Sequence, residues 1–171
     1  MIIFVPDLIF TYMKVFYCCI ILIGTFILSS CDILFVEPDS SDKIVCKGTY
    51  SVNSIEVDSL FFKESDIQWY DTTTFQLKLK NPPEYKELLF FRKFKFYAGS
   101  DSLFTASLAL DIMSSIVSNL VLRYGSYDRK IYLEKSYPNW LNDSITLANN
   151  HKRAPNWKRF IDRLDKLNKI R

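Results

Sequence analysis

Residues 13 to 31, MKVFYCCIILIGTFILSSC, constrain this chain more than any other stretch. Lys14 supplies a positive charge, Val15 to Leu28 form an apolar run, and Ser29-Ser30 place small residues before Cys31. A charged start, an apolar middle and a small-residue close are, in order, the parts of an export signal. The run has 14 residues, whereas a helix crossing a bilayer core needs about 20. It is long enough to engage an export channel and short for a permanent span. The competing reading is an uncleaved N-terminal membrane helix, which draws on the apolar stretch from Ile2 to Tyr12. Pro6 and Asp7 interrupt that stretch, so Met13 is the expected initiator and residues 1–30 the expected signal peptide.

The tetrad Leu28-Ser29-Ser30-Cys31 resembles the lipobox of bacterial lipoproteins: an aliphatic residue and two small residues before a cysteine. That resemblance implies that the Cys31 thiol receives a diacylglycerol and that a signal peptidase cuts before it. The new amine then becomes a second acylation point, palmitate being a typical chain. Two or three chains hold firmly, because each buried CH₂ adds about 0.8 kcal/mol. The implied location is the cell envelope, with the membrane as a partner through Cys31. Asp32 resembles an inner-membrane retention signal of enteric bacteria, but other phyla read that position differently, so the leaflet stays open. On this reading residues 31–42 are a lipidated tether, whose Pro38 and Ser/Asp cluster oppose regular structure, and residues 43–171 are one domain.

Glycine is scarce, with four residues, and neither a GxGxxG nor a Walker pattern occurs. Of the four cysteines, Cys18 and Cys19 fall inside the signal and Cys31 at its end. Cys46 then has no partner for an internal disulfide and is expected as a small buried hydrophobe. Charge is uneven. His151 to Arg171 carry eight Lys/Arg against Asp162 and Asp165, while the rest of the mature chain is mildly acidic.

Alternation marks most of the expected strands. Lys43 to Val52 places Ile44, Cys46 and Tyr50 against Lys43, Val45 and Lys47. Ile55 to Lys63 is mixed, a strand or a turn. Ile67–Tyr70 and Phe75–Lys80 form a hairpin across Asp71-Thr72-Thr73-Thr74, with Phe75, Leu77 and Leu79 facing in. Leu88 to Tyr97 is β-favouring, with Phe90, Phe94 and Phe96 on one face. Leu103 to Leu110 follows a turn at Ala98–Ser102 and aligns Phe104, Ala106, Leu108 and Leu110. Asp111 to Asn119 is ambiguous between a short helix and an irregular crossing. Leu120–Tyr124 and Lys130–Glu134 form a second hairpin.

Ser136 to Lys152 reads as loop. From Pro155, which suits a first helical turn, Trp157, Phe160, Ile161, Leu164 and Leu167 make one helical stripe. The expected fold class is α+β: a small antiparallel sheet of hairpins with a C-terminal amphipathic helix packed on it. Asp66-Ile67-Gln68-Trp69-Tyr70, Ser136-Tyr137-Pro138 and Trp157-Lys158-Arg159-Phe160-Ile161, taken together, resemble small uncharacterised lipoproteins of Bacteroides-type bacteria. That resemblance implies no activity.

Chemistry is thinly signalled. The lone His151 cannot build a multi-histidine metal site and has no nucleophile elbow to serve, so no metal or other cofactor is expected. Asp58, Glu64, Asp66 and Asp71 lie near one another in sequence and offer carboxylates for glycoside chemistry, although aspartate is also ordinary turn chemistry. Trp69, Tyr70, Tyr137 and Trp140 are candidates for an aromatic platform, with Trp140 foremost because its surroundings are polar. Lys158, Arg159, Arg163, Lys166 and Lys169 are either a solvated helix face or a contact for anionic headgroups or an acidic partner. A nucleic-acid partner is not expected of an exported protein. The functional expectation is a non-catalytic, membrane-anchored binding or assembly module of the envelope, with a protein or glycan partner. The alternatives are a carboxylate-using envelope hydrolase, such as a carbohydrate-active enzyme, and an inhibitor or immunity protein.

Overall fold

A computed structural model describes residues 42–112 and 116–171. The expected signal, Cys31 and all of the tether except Asp42 lie outside the described residues. Alternating apolar positions build eight strands: β1 (Ile44–Val52), β2 (Ile55–Lys63), β3 (Ile67–Tyr70), β4 (Gln76–Leu79), β5 (Lys93–Ala98), β6 (Asp101–Leu110), β7 (Val121–Gly125) and β8 (Lys130–Glu134). They join in one sheet of order β2-β1-β5-β6-β7-β8-β4-β3. Two short helical elements and one long one complete the described chain: a 3-10 turn (Glu64–Asp66), α1 (Tyr85–Leu88) and α2 (Ser144–Lys166). The fold is α+β, with the C-terminal helix packed on the sheet.

Tight turns set the antiparallel pairs. Asn53 and Ser54 both have positive φ, 49° and 68°, the geometry that matches hairpin twist. They link β1 to β2 with Val52 opposite Ile55. The two edge strands β2 and β3 are separated in sequence only by Glu64–Asp66. The four steps from Lys63 to Ile67 reach at most about 14 Å, so the sheet has to curl until these strand ends approach one another.

The core lies between the sheet and α2. Cys46, Phe94, Phe96, Ala106, Phe160 and Leu164 are all fully buried. The Phe160 ring meets Phe104 at 5.5 Å, Phe96 at 5.9 Å and Tyr70 at 6.0 Å between centroids. Burying each such ring contributes roughly 1.5–3 kcal/mol. Cys46 is a buried free thiol, as its alternation suggests.

Of the two readings open for Ile55–Lys63, the strand holds throughout. Four expectations change. Phe90 does not share the face of Phe94 and Phe96: α1 and the turn after it occupy residues 85–90, leaving Phe90 74% exposed while Phe94 and Phe96 are buried. The sheet is not wholly antiparallel, because β6 and β7 run parallel from Ser107 opposite Val121 to Leu110 opposite Tyr124. The crossing over residues 111–119 makes that pairing possible, and its middle lies outside the described residues. Central placement also buries β6 on both faces, with Leu103 and Ala109 inside and Leu108 only half-buried.

The fourth change concerns the helix, which starts at Ser144, so that Pro155 stands inside it. Asp143 caps it, its Oδ1 accepting from the Thr146 amide at 2.6 Å. Asn149 Nδ2 donates to the Ser118 carbonyl at 3.1 Å, and Thr146 is buried. Pro155 cannot donate to the residue four before it, His151. Both Pro155 and His151 are exposed, so water can satisfy that carbonyl.

Candidate functional site

A groove of about 400 Å³ opens between α2 and the β3–β4 turn. One wall is a single helix face: Asn150, Arg153, Ala154, Trp157, Lys158 and Ile161, spaced by threes and fours as helical neighbours must be. The opposite wall is Tyr70, Thr72, Phe75 and Lys135. Its size falls within the range of small-molecule sites.

Local chemistry holds the second wall in place. Asp71 Oδ1 accepts from the Thr73 and Thr74 amides at 2.8 and 2.9 Å. Those hydrogen bonds, with the Thr74 hydroxyl and Arg171, keep the Asp71 carboxyl below its ordinary range. Phe75 takes a left-handed φ of 62°, and its carbonyl accepts from the Leu133 amide at 2.9 Å. The segment after α2 seals the outer edge of β3: Tyr70 N donates to the Lys169 carbonyl at 2.8 Å, and Arg171 N to the Tyr70 carbonyl at 3.0 Å. Tyr70 is buried and backs this wall, its hydroxyl donating to the Leu133 carbonyl at 3.1 Å. Burial, then the charges of Glu134 and Asp71, push that phenol well up.

The groove is basic and aromatic. No Asp or Glu lines it. Lys158 is answered by Asp162 at 2.5 Å, whereas Lys135 and Arg153 have no acidic partner among the described residues. Arg153 Nη2 donates to the Lys135 carbonyl at 2.8 Å and to Asn150 Oδ1. Its Nε and Nη1 have no acceptor among the described residues. Burial without a counter-charge lowers the Arg153 guanidinium from its ordinary value. Trp157 and Phe75 are half-buried, and the Trp157 indole N–H is likewise without an acceptor among the described residues. A flat apolar wall beside an unpaired guanidinium can hold an anionic group. No carboxylate is in the lining, and His151 lies outside it.

The residues singled out from sequence fall elsewhere or into other roles. Trp140 is 76% exposed in the turn after β8. Tyr137 is half-buried and bridges Val117. Trp69 lies under the Arg171 guanidinium, 4.5 Å from its ring centre. No ring contact joins Trp69, Tyr137 and Trp140 among the described residues. Of the aromatic candidates only Tyr70 reaches the groove. Of the basic set, Lys158 lines it and Lys166 is exposed beside Asp162 and Asp42. Arg159 pairs with Asp42 and with Asp101 at 3.0 Å. Arg163 is no surface cation: it is buried and bound to Glu64.

The carboxylates of the hydrolytic alternative are engaged structurally. Asp58 takes Thr49 and Lys95, Asp66 caps at the Lys63 amide, Asp71 holds its turn and Glu64 binds Arg163. A denser group surrounds Arg123, which pairs with Asp111 and Glu134, both at 2.8 Å, and stacks 3.9 Å from the Tyr132 ring centre. Tyr132 donates to Asp128 at 2.5 Å, and burial and that bond push its phenol up to about 12. No group of three or more His, Cys, Asp or Glu residues able to hold a metal is present among the described residues.

Asn150 and Arg153 are the site residues that sequence reasoning missed. With the helix drawn from Pro155, both fell in apparent loop, although Asn150, Arg153, Trp157 and Ile161 already carry the spacing of one helical face. Comparisons with protein-family models, curated proteins and solved structures find no match to this chain.

Proposed function

We propose that the protein is a lipid-anchored, non-catalytic binding module of the cell envelope. Two features support the reading from different ends of the chain. The export-signal pattern ending in Leu28-Ser29-Ser30-Cys31 supports attachment through Cys31. The groove on α2 is the observation that carries binding: it is large enough for a small molecule, lined by aromatic residues and positively charged, with no carboxylate or histidine in its lining. Among the described residues no helix is long and apolar enough to cross a membrane, so on this reading attachment rests on the segment that ends at Cys31.

Palmitate labelling in the native host tests the anchor. Wild type takes up label and sediments with membranes, while Cys31→Ala does neither. Label on neither protein, with a mature N-terminus at Met1 or Met13, overturns lipid attachment. Incubation with polysaccharide and peptide mixtures tests the other half. No turnover is expected, and turnover abolished by neutralising Asp111, Asp128 or Glu134 overturns the binding reading in favour of a hydrolase.

A further inference from the structure

We infer that the groove between α2 and the β3–β4 turn binds a small organic carboxylate with an aromatic or other flat apolar body. The inference deepens the binding-module reading and rests on it. Arg153 supplies the charge. Two acceptors from the chain, the Lys135 carbonyl and the Asn150 amide oxygen, hold Nη2 and so fix the plane of the guanidinium. The donors on Nε and Nη1 are left over, and no carboxylate among the described residues neutralises them.

Arg153 is half-buried, and a ligand carboxylate can accept from one of its spare donors as a charge-assisted hydrogen bond. Lys135, itself without an acidic partner among the described residues, adds to the local positive potential. The apolar half of the requirement comes from Trp157 and Phe75, both half-buried. Tyr70 is buried behind them and braces Trp157 edge-on at 6.0 Å and 79°. The half-open indole and phenyl rings give a ligand ring apolar surface to pack on. A free inorganic anion satisfies only the charge, and a neutral sugar only the rings. The lining asks for both in one molecule.

The test uses the full chain, purified from membranes in an uncharged maltoside detergent, and isothermal titration with three probes. These are 3-phenylpropionate, its uncharged counterpart 3-phenylpropanol, and acetate. The carboxylate with a ring should bind, and each half-probe should bind at least about tenfold more weakly, the alcohol for its lost charge-assisted hydrogen bond and acetate for its lost apolar burial. Arg153→Gln should weaken 3-phenylpropionate by about tenfold or more, while Lys152→Gln, at an exposed neighbour outside the groove, should leave it unchanged. Equal binding of 3-phenylpropionate and either half-probe, unchanged binding by Arg153→Gln, or no heat from 3-phenylpropionate with wild type each overturns the inference.

If Arg153→Gln fails to fold, Ala154→Trp, which fills the groove from an exposed helical position, replaces it. Retained binding in that variant overturns the proposal equally. Palmitate labelling is scored separately. Binding without label leaves the groove standing and removes the anchor. Label without binding removes the groove and leaves the anchor.

Discussion

Arg163 and Glu64 form a two-point ion pair across 99 residues of chain, with Nε 2.7 Å from Oε2 and Nη2 2.9 Å from Oε1. Glu64 belongs to the three-residue link between the two edge strands, and its Oε2 also accepts from the Ile44 amide at the start of β1, at 3.1 Å. Lys169 Nζ donates to the Glu64 carbonyl at 2.5 Å. One carboxylate therefore ties together the seam of the curled sheet, its second strand and the long helix. Because both side chains are about nine-tenths buried, removing one partner strands the other charge. Glu64→Gln and Arg163→Met are each expected to destabilise by roughly 3–5 kcal/mol, and the double variant by clearly less than the sum. Urea unfolding followed by circular dichroism measures all three.

The same pair sets a pH response. Burial raises the Glu64 carboxyl, but the hydrogen bonds from Arg163 and the Ile44 amide, with the charges of Arg163 and Lys169, outweigh it and hold the group below the ordinary 4.5. A depressed folded-state value means that the unfolded chain binds the proton first as the pH drops. Its contribution is complete above about 4.5 and is lost as the pH falls through the folded-state value. Wild type is thus expected to lose stability below that point, and Glu64→Gln to show a flatter acid limb. Parallel acid limbs in thermal melts taken from pH 6 to 3 would rule this carboxyl out as a source of the response.

Local patterning was enough to find β1, β3, β4, β7 and β8, the last two as arms of a hairpin across Gly125-Ser126-Tyr127-Asp128, since β7 is buried on both faces and does not alternate. Stripe positions Phe160 and Leu164 likewise read correctly as core. What could not be read depends on partners distant in sequence. The parallel register of β6 on β7 follows from a crossing whose path no local pattern encodes. Phe90 resembles its strand neighbours in composition, yet α1 and its following turn carry it into solvent. The groove was hidden for a different reason. Pro155 is a strong local punctuation mark, and the Asp143 cap with the Asn149–Ser118 contact overrides it, joining Asn150 and Arg153 to the face that bears Trp157. Arg163 looked like its exposed neighbours because its carboxylate lies 99 residues away.

Gly48 marks another tertiary demand. Phe91 lies over its α-carbon, and a β-carbon there would overlap the Phe91 ring. That ring is itself held by Phe61 at 5.5 Å and Phe94 at 5.6 Å. Gly48→Ala therefore overpacks and should cost about 1–3 kcal/mol. Adding Phe91→Leu should recover part of the loss by giving the methyl room, which chemical denaturation of the single and double variants decides.

Cys46 is buried near the start of β1, and burial pushes its thiol well above the ordinary value. Neither access nor thiolate is available in the folded state. Iodoacetamide at pH 8 should leave the Cys46 peptide unmodified in the native protein and label it fully in 6 M guanidinium, as read by peptide mass spectrometry. Native-state labelling at the rate of a free thiol would show that β1 opens far more often than its burial implies.

Pro155 gives the sharpest test of how α2 is held. The residue is exposed and outside the groove lining, so replacing it changes backbone chemistry with little else. Ala restores an N–H that can donate to the His151 carbonyl, and proline costs about 3 kcal/mol relative to alanine inside a helix. Part of that gain is offset, because proline also restricts the unfolded chain by roughly 0.4–1 kcal/mol. Pro155→Ala should therefore raise stability, by about 2–2.5 kcal/mol, and leave binding of 3-phenylpropionate at Arg153 unchanged. A loss of stability instead would mean that the missing hydrogen bond bends the helix onto the β3–β4 turn. Ligand binding would then weaken together with the fold.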